Sequence, residues 1–100
     1  MIRWSKQGLD ALAAISDFIA DDRPQAAAAW VDRIHRRLEL AAETPLAGRM
    51  VPEFGRGDVR EVFVRTYRLV YLVEGRGIAV LTVFEGHRLM PDISINAADD

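Results

Sequence analysis

The stretch from Asp58 to Phe84 constrains this chain more than any other. DVREVFV, RTYRLVYLVEGRG and IAVLTVF are three runs rich in Val, Ile, Leu, Tyr and Phe, parted by a weak break at Arg65-Thr66 and by a glycine-bearing turn. β-Branched and aromatic residues pack well on a pleated surface, so the runs predict strands joined as an antiparallel meander. The middle run puts Tyr67, Leu69, Tyr71 and Val73 on one face and Arg68, Val70 and Leu72 on the other. The third sets Ile78, Val80 and Phe84 opposite Ala79, Leu81 and Val83, whereas the first mixes in Arg60 and Glu61. Apolarity on both faces predicts that the second and third runs lie centrally, with helices over one face and a concave surface on the other. Glu74-Gly75-Arg76-Gly77 supplies two glycines that can take positive φ in a tight hairpin.

What precedes this stretch supplies the cover. Met1 to Trp4 is short and apolar, a candidate strand added to the sheet. Ser5 is placed as an N-cap, because its hydroxyl can accept from the free amides of the next turn. Leu9, Leu12, Ile15 or Ser16, and Ile19 then recur at helical spacing, predicting a helix that ends near Asp22. Pro24 breaks this helix and opens a second, running to about Glu43 with Ala27, Trp30, Val31, Ile34, Leu38 and Ala41 as its apolar stripe. Asp32, Arg33, Arg36, Arg37 and Glu39 form its wet side. The short connection predicts an antiparallel helix hairpin, with Trp30, Val31, Ile34 and Leu38 packed on Leu9, Leu12, Ile19 and the sheet. Thr44 to Gly57 reads as an irregular connection. After Phe84, Asp92 to Ile95 is a candidate short strand within a polar tail (about residues 89–100) expected to fray. The elements together predict an α+β fold in one domain, residues 1–100, with a three- to four-stranded antiparallel sheet.

Composition narrows the function. One hundred residues, half of them apolar, suffice for one modest core. Without cysteine there is no disulfide framework and no thiolate for zinc or catalysis. The start MIRWSKQG lacks the apolar core of a signal peptide and no run reaches the roughly 18 residues of a membrane span, so a cytoplasmic address and no membrane partner are expected. The net charge of −2 hides an asymmetry: six arginines face four acids between Arg56 and Arg88, whereas three aspartates and no base follow. Twelve of the thirteen basic residues are arginine, whose planar fork suits carboxylate and phosphate.

His35 lies beside the stripe of the second helix and reads as structural and partly exposed. His87-Arg88, where a central strand ends, can be a proton shuttle and phosphate clamp or simply a solvated loop pair. No histidine or carboxylate pair shows a metal-ligand spacing, and no cofactor is expected. Tyr67 and Tyr71 share a strand face and read as core rather than as a stacking platform.

The order β, α, α, loop, β, β, β, with LAGRMVPEFGRGDVREVFVRTYRLVYLVEGRGIAVLTVFEGHR, resembles the RelE/ParE superfamily of type II toxin–antitoxin toxins over residues 2–88. The more specific parts are Gly48-Arg49, Val59-Arg60-Glu61, Tyr67-Arg68-Leu69-Val70-Tyr71 and Glu85-Gly86-His87-Arg88. The helix hairpin, the Arg23-Pro24-Gln25-Ala26-Ala27 junction and the arginine set are more similar to the ParE branch. That resemblance implies a growth-inhibiting, plasmid-stabilising toxin that inhibits DNA gyrase by binding, is neutralised by a co-encoded antitoxin, and meets operator DNA only through that antitoxin. The apolar Ala14, Phe18 and Ala28 on otherwise wet helix faces are where an antitoxin helix would lie. The alternatives are a RelE-like ribosome-dependent mRNA endonuclease and a binding module without toxicity. Arg60, Arg68, His87 and Arg88 are the candidate functional residues, expected on or beside the sheet's open surface.

Overall fold

The computed structural model of the chain describes residues 1–93 and 95. The elements run β1 (Ile2–Trp4), α1 (Lys6–Asp22), α2 (Pro24–Glu43), a 3-10 turn at Pro45–Ala47, β2 (Arg49–Met50), β3 (Val59–Val64), β4 (Tyr67–Glu74) and β5 (Gly77–Glu85). They form an α+β fold in which the helix hairpin covers one face of a sheet ordered β1-β5-β4-β3-β2. The sheet therefore has five strands rather than three or four, and it is mixed: β1 runs parallel to β5 while the other pairs are antiparallel. The fifth strand is the two-residue β2, inside the stretch expected to be irregular. Its ladder with Glu61 and Arg60 is too short to show as a periodic pattern.

The helix boundaries follow local chemistry. The Ser5 hydroxyl accepts from the Gly8 amide at 2.9 Å, capping α1, and Pro24 sits in the first turn of α2, where its missing N–H costs nothing. The stripe of α2 is buried as its periodicity requires, with Ile34 and Leu38 wholly inaccessible, each contributing roughly 1.5–3 kcal/mol by burial. Leu9 departs from expectation and is half exposed. It lies within the first turn of α1, where Leu12, Ile15 and Ile19 make the packing contacts instead.

Both faces of the central hairpin are covered. Under the helices lie Val62, Val64, Leu69, Tyr71, Ile78, Val80 and Val83. The opposite face holds a second cluster of Val51, Val59, Val70, Ala79, Leu81 and Phe84, partly covered by Phe54, Met90, Ile93 and Ile95. The strict alternation expected along β5 fails at Leu81: Tyr71 pairs with Val80 but Val70 with Thr82, so Leu81 is an extra residue that shifts the period. Val83 therefore joins Val80 under the helices and Phe84 joins Leu81 on the far face, the reverse of simple alternation. After β5, Met90, Ile93 and Ile95 pack on the far cluster, where a fraying tail was expected. Asp92 and Ile93 are not in a strand, and Ser94 and residues 96–100 lie outside the described residues.

The turn between β4 and β5 uses its two glycines differently. Gly75 takes φ +46°, whereas Gly77 has no positive φ and instead admits the Met1 carbonyl, which a Cβ there would overlap. β1 is thereby brought against β5 and is fastened by Arg3, whose guanidinium donates to both Glu74 oxygens at 2.8 and 2.9 Å. Ile34→Ala should cost about 2–5 kcal/mol in urea unfolding, the usual range for truncating a fully buried aliphatic residue, and Leu9→Ala no more than about 1 kcal/mol. Equal losses would contradict this packing.

Candidate functional site

The four candidate residues fall in three places. Arg68 and Glu61 share the sheet face away from the helices because β3 and β4 pair Phe63 with Arg68 and Glu61 with Val70. Arg68 Nε donates to Glu61 Oε1 at 2.5 Å, and its two terminal nitrogens donate to Glu53 at 2.8 Å each. Arg49 completes the chain of charges from the other side, donating to Glu61 Oε2 at 2.8 and 2.6 Å. Glu61 is only 1% exposed, so it requires both guanidinium partners. The Arg68 hydrogen bonds hold the Glu53 carboxyl at about 2, and the same bonds, against desolvation, raise Arg68 above its usual value. Arg68 also stands 5.0 Å over the Phe84 ring. It belongs to the expected face but is buried and fully engaged.

Arg60 lies on the opposite face, level with Tyr71. Its guanidinium donates to the carbonyls of Gly57, Leu46 and Gly48 at 2.9, 3.0 and 3.1 Å, and the Tyr71 hydroxyl donates to the Pro45 carbonyl at 2.6 Å. These bonds satisfy backbone acceptors in the connection from α2 to β3, which has little regular structure to satisfy its own. Burial pushes the Tyr71 phenol up.

His87 and Arg88 sit on the exposed turn after β5. The His87 side chain is 84% exposed, with its Nε2 3.8 Å from Glu85 Oε1. Glu85 accepts from the Thr66 hydroxyl and the His87 amide, which lower its carboxyl. Arg88 reaches the rim of a groove of about 610 Å³ between α1 and the end of β5. Ala11, Ala14, Ile15 and Phe18 form one wall, Tyr67 and Val83 belong to the other side, and Asp10, Glu85 and Arg88 supply charge. Phe18 is 79% exposed, a large apolar ring at the edge of an apolar groove.

Ala14 and Phe18 were legible as apolar residues on a wet helix face, but Ala28 is exposed and takes no part in the groove. His35 is half-buried in edge contact with Trp4, and Tyr67 meets Trp30 edge-on. The roles of Glu53, Glu61 and Arg49 are not apparent in the sequence. Glu61 stands at a position that alternation marks only as far-facing, and Glu53 lies in a loop eight residues away. Among the described residues no three His, Asp or Glu side chains are grouped to hold a metal ion, and no helix is long and apolar enough to cross a membrane.

Residues 2–90 match the family model of the ParE toxin of the type II toxin–antitoxin system, parDE. The chain is 34% identical over 95 residues to "Putative toxin Y4kP" of Sinorhizobium fredii (strain NBRC 101917 / NGR234), covering 92% of this chain and 94% of that protein. Its fold matches a chain of the chromosomal ParDE TA system from P. aeruginosa with a TM-score of 0.68 and 20% identity, covering 84% of this chain and 92% of that one. The chain belongs to the ParE toxin family of type II toxin–antitoxin systems.

The ion-pair chain makes stability depend on pH with a definite sign. A carboxyl lowered to about 2 in the folded protein stabilises it above the unfolded value of about 4.5, and that contribution is lost as pH falls from there toward 2. Glu53→Gln should flatten this acid limb in thermal melts between pH 5 and 2. Arg68→Ala, which leaves Glu61 with one partner in a dry site, should cost about 3 kcal/mol or more at pH 7.

Proposed function

We propose that this ParE-family toxin inhibits DNA gyrase by binding, through the groove between α1 and β5 with Arg88 at its rim, and that a co-encoded antitoxin neutralises it by filling the same groove. The observation that carries this reading is the division of labour among the arginines. Arg60 and Arg68 hold the fold together from opposite faces of the sheet, while Arg88 stands beside an exposed apolar surface. General acid–base cleavage of RNA asks for an acid, a base and charge stabilisation converging on one phosphate. Here His87 meets Glu85 on the surface, and Arg60 and Arg68 point into other neighbourhoods.

The groove also suits an amphipathic helix. Its wall of Ala11, Ala14, Ile15 and Phe18 can take apolar side chains at i, i+3 and i+4 spacing, and Asp10, Glu85 and Arg88 can set the register by charge. The similar ParDE structure is of a toxin–antitoxin system, which supports an antitoxin as the partner. Occlusion of Arg88 would then account for neutralisation without any change in the toxin's fold.

The paired test is to add the purified protein to gyrase with supercoiled DNA, scoring cleaved complexes, and to translating ribosomes, mapping mRNA ends. Cleaved DNA without mRNA cuts is expected, with Arg88→Ala weakening the effect roughly tenfold and His87→Ala retaining most of it. Codon-specific mRNA cuts that fall by roughly 10²–10⁴ in His87→Ala, the loss typical of a general acid or base, would overturn the reading in favour of a ribonuclease.

A further inference from the structure

A second surface lies away from the groove, at an edge of the sheet. The Val51 amide donates to the Val59 carbonyl and the Val73 amide to the Asp58 carbonyl, so odd-numbered residues along β3 turn their backbone groups toward β2 and even-numbered ones toward β4. β2 meets this edge only as far as Arg49, opposite Glu61. Before Arg49 the chain lies in the 3-10 turn, where the Ala47 amide donates to the Thr44 carbonyl instead. The Phe63 amide and carbonyl are therefore directed outward, and neither has a hydrogen-bond partner among the described residues. The Phe63 ring is on the far face, with the Arg49 guanidinium 5.5 Å from its centroid, so what Phe63 presents to the helix side is its backbone.

This edge opens into a cleft of about 480 Å³, which Arg33, Arg36, Arg37 and Leu40 of α2 line together with Val64 and Arg65. The three arginines of α2 stand at i, i+3 and i+4 and so share a face. No carboxylate is among the cleft's lining residues. Arg36 pairs with Asp32 at 2.5 Å, but both side chains are exposed, so the pair is worth little. Arg33, Arg37 and Arg65 have no side-chain hydrogen bond or ion pair among the described residues. Arg65 holds φ +52°, a left-handed conformation in which a glycine or asparagine would be at ease, so a guanidinium stands there at the expense of backbone strain. The cleft thus joins unneutralised positive charge to an open strand edge. A phosphate accepts from an amide but cannot donate to a carbonyl, so a nucleic acid backbone would meet the charge and leave the edge half satisfied. A second copy of the chain would set the same arginines against each other. A polypeptide strand that carries carboxylates answers both demands.

We propose that this cleft takes a short, extended, acidic segment of a partner protein, which pairs with Phe63 as an added strand and sets its carboxylates against Arg33, Arg36, Arg37 and Arg65. Side chains alternate along a strand, so the residue opposite Phe63 points to the far face and its two neighbours point to the arginines. Acids at every second position fit this pattern. The added strand is short because Gly48, packed so closely on the Tyr71 hydroxyl that a Cβ would overlap it, closes one end of the edge. The cleft shares no lining residue with the groove, so it can be filled while the groove is occupied and stands independently of the gyrase reading.

The test is fluorescence anisotropy of a labelled pentapeptide of alternating glutamate and valine, blocked at both ends and titrated with the purified protein at low salt. Saturable binding is expected. N-methylating both valines, one of which faces Phe63, should weaken it roughly tenfold, about the loss of one desolvated hydrogen bond. N-methylating the second and third glutamates, whose amides face solvent, should change little. The double variant Arg33→Gln/Arg65→Gln should weaken binding roughly tenfold or more and lessen its dependence on salt. Arg76→Gln, which removes an exposed arginine elsewhere, should change nothing; circular dichroism on each variant checks the fold. No saturable binding, equal losses from the two methylated peptides, equal losses from Arg76→Gln and the double variant, or stronger competition by a twelve-nucleotide single strand than by the unlabelled peptide would each overturn the proposal.

Discussion

The structure depends on one constraint: the β4–β5 hairpin is apolar on both faces and must be covered twice. Leu69, Tyr71, Ile78 and Val80 demand one cover, and Val70, Ala79, Leu81 and Phe84 demand another. A hairpin of this composition cannot stand alone in water, since each buried aliphatic side chain contributes roughly 1.5–3 kcal/mol only when it is out of solvent. The helix hairpin supplies the first cover with the stripe of α2. The second is assembled from less regular material, Val51 and Phe54 from the connection and Met90, Ile93 and Ile95 from beyond β5.

Irregular cover brings its own requirement, because backbone without a ladder needs other partners. Arginine meets it. Arg60 draws three carbonyls of the α2–β3 connection to the sheet, while Arg68 ties Glu53, between Val51 and Phe54, to the buried Glu61. The charges of Glu53, Arg68, Glu61 and Arg49 cancel in alternation, which permits a carboxylate to lie at 1% exposure beside a hydrophobic cluster. Two of the residues that read as candidates for chemistry are thereby explained as parts of the scaffold.

Where one period rules, the sequence was a sufficient guide. Ser5, Pro24 and the stripe from Ala27 to Ala41 located the helices, and the faces of β4 were assigned residue by residue. It was insufficient where the cause is not local. The extra residue at Leu81 reverses Val83 and Phe84, and nothing in IAVLTVF marks it, since every residue there is apolar or threonine. Likewise β2 exists because Arg49 finds Glu61, a contact across twelve positions, and the cover over the far face depends on residues after the turn at His87 that look polar in aggregate. Arg68 was placed on the correct face, but its burial required Glu53, which alternation cannot bring near. The groove was half legible: Phe18 and Ala14 were visible as apolar residues out of place, but their partners on β5 were not.

An apolar groove with an arginine at its rim makes up the functional surface, and the central claim is that the groove beside α1 is where the antitoxin lies. Hydrogen exchange of the toxin, alone and with the product of the neighbouring gene, tests that claim directly. The account predicts slowed exchange along α1 from about residue 10 to 18 and at the end of β5 into the turn that carries Arg88, with the outer face of α2 unchanged. Protection confined to the α2 face bearing Arg33, Arg36 and Arg37, with α1 exchanging as in the free protein, would contradict it.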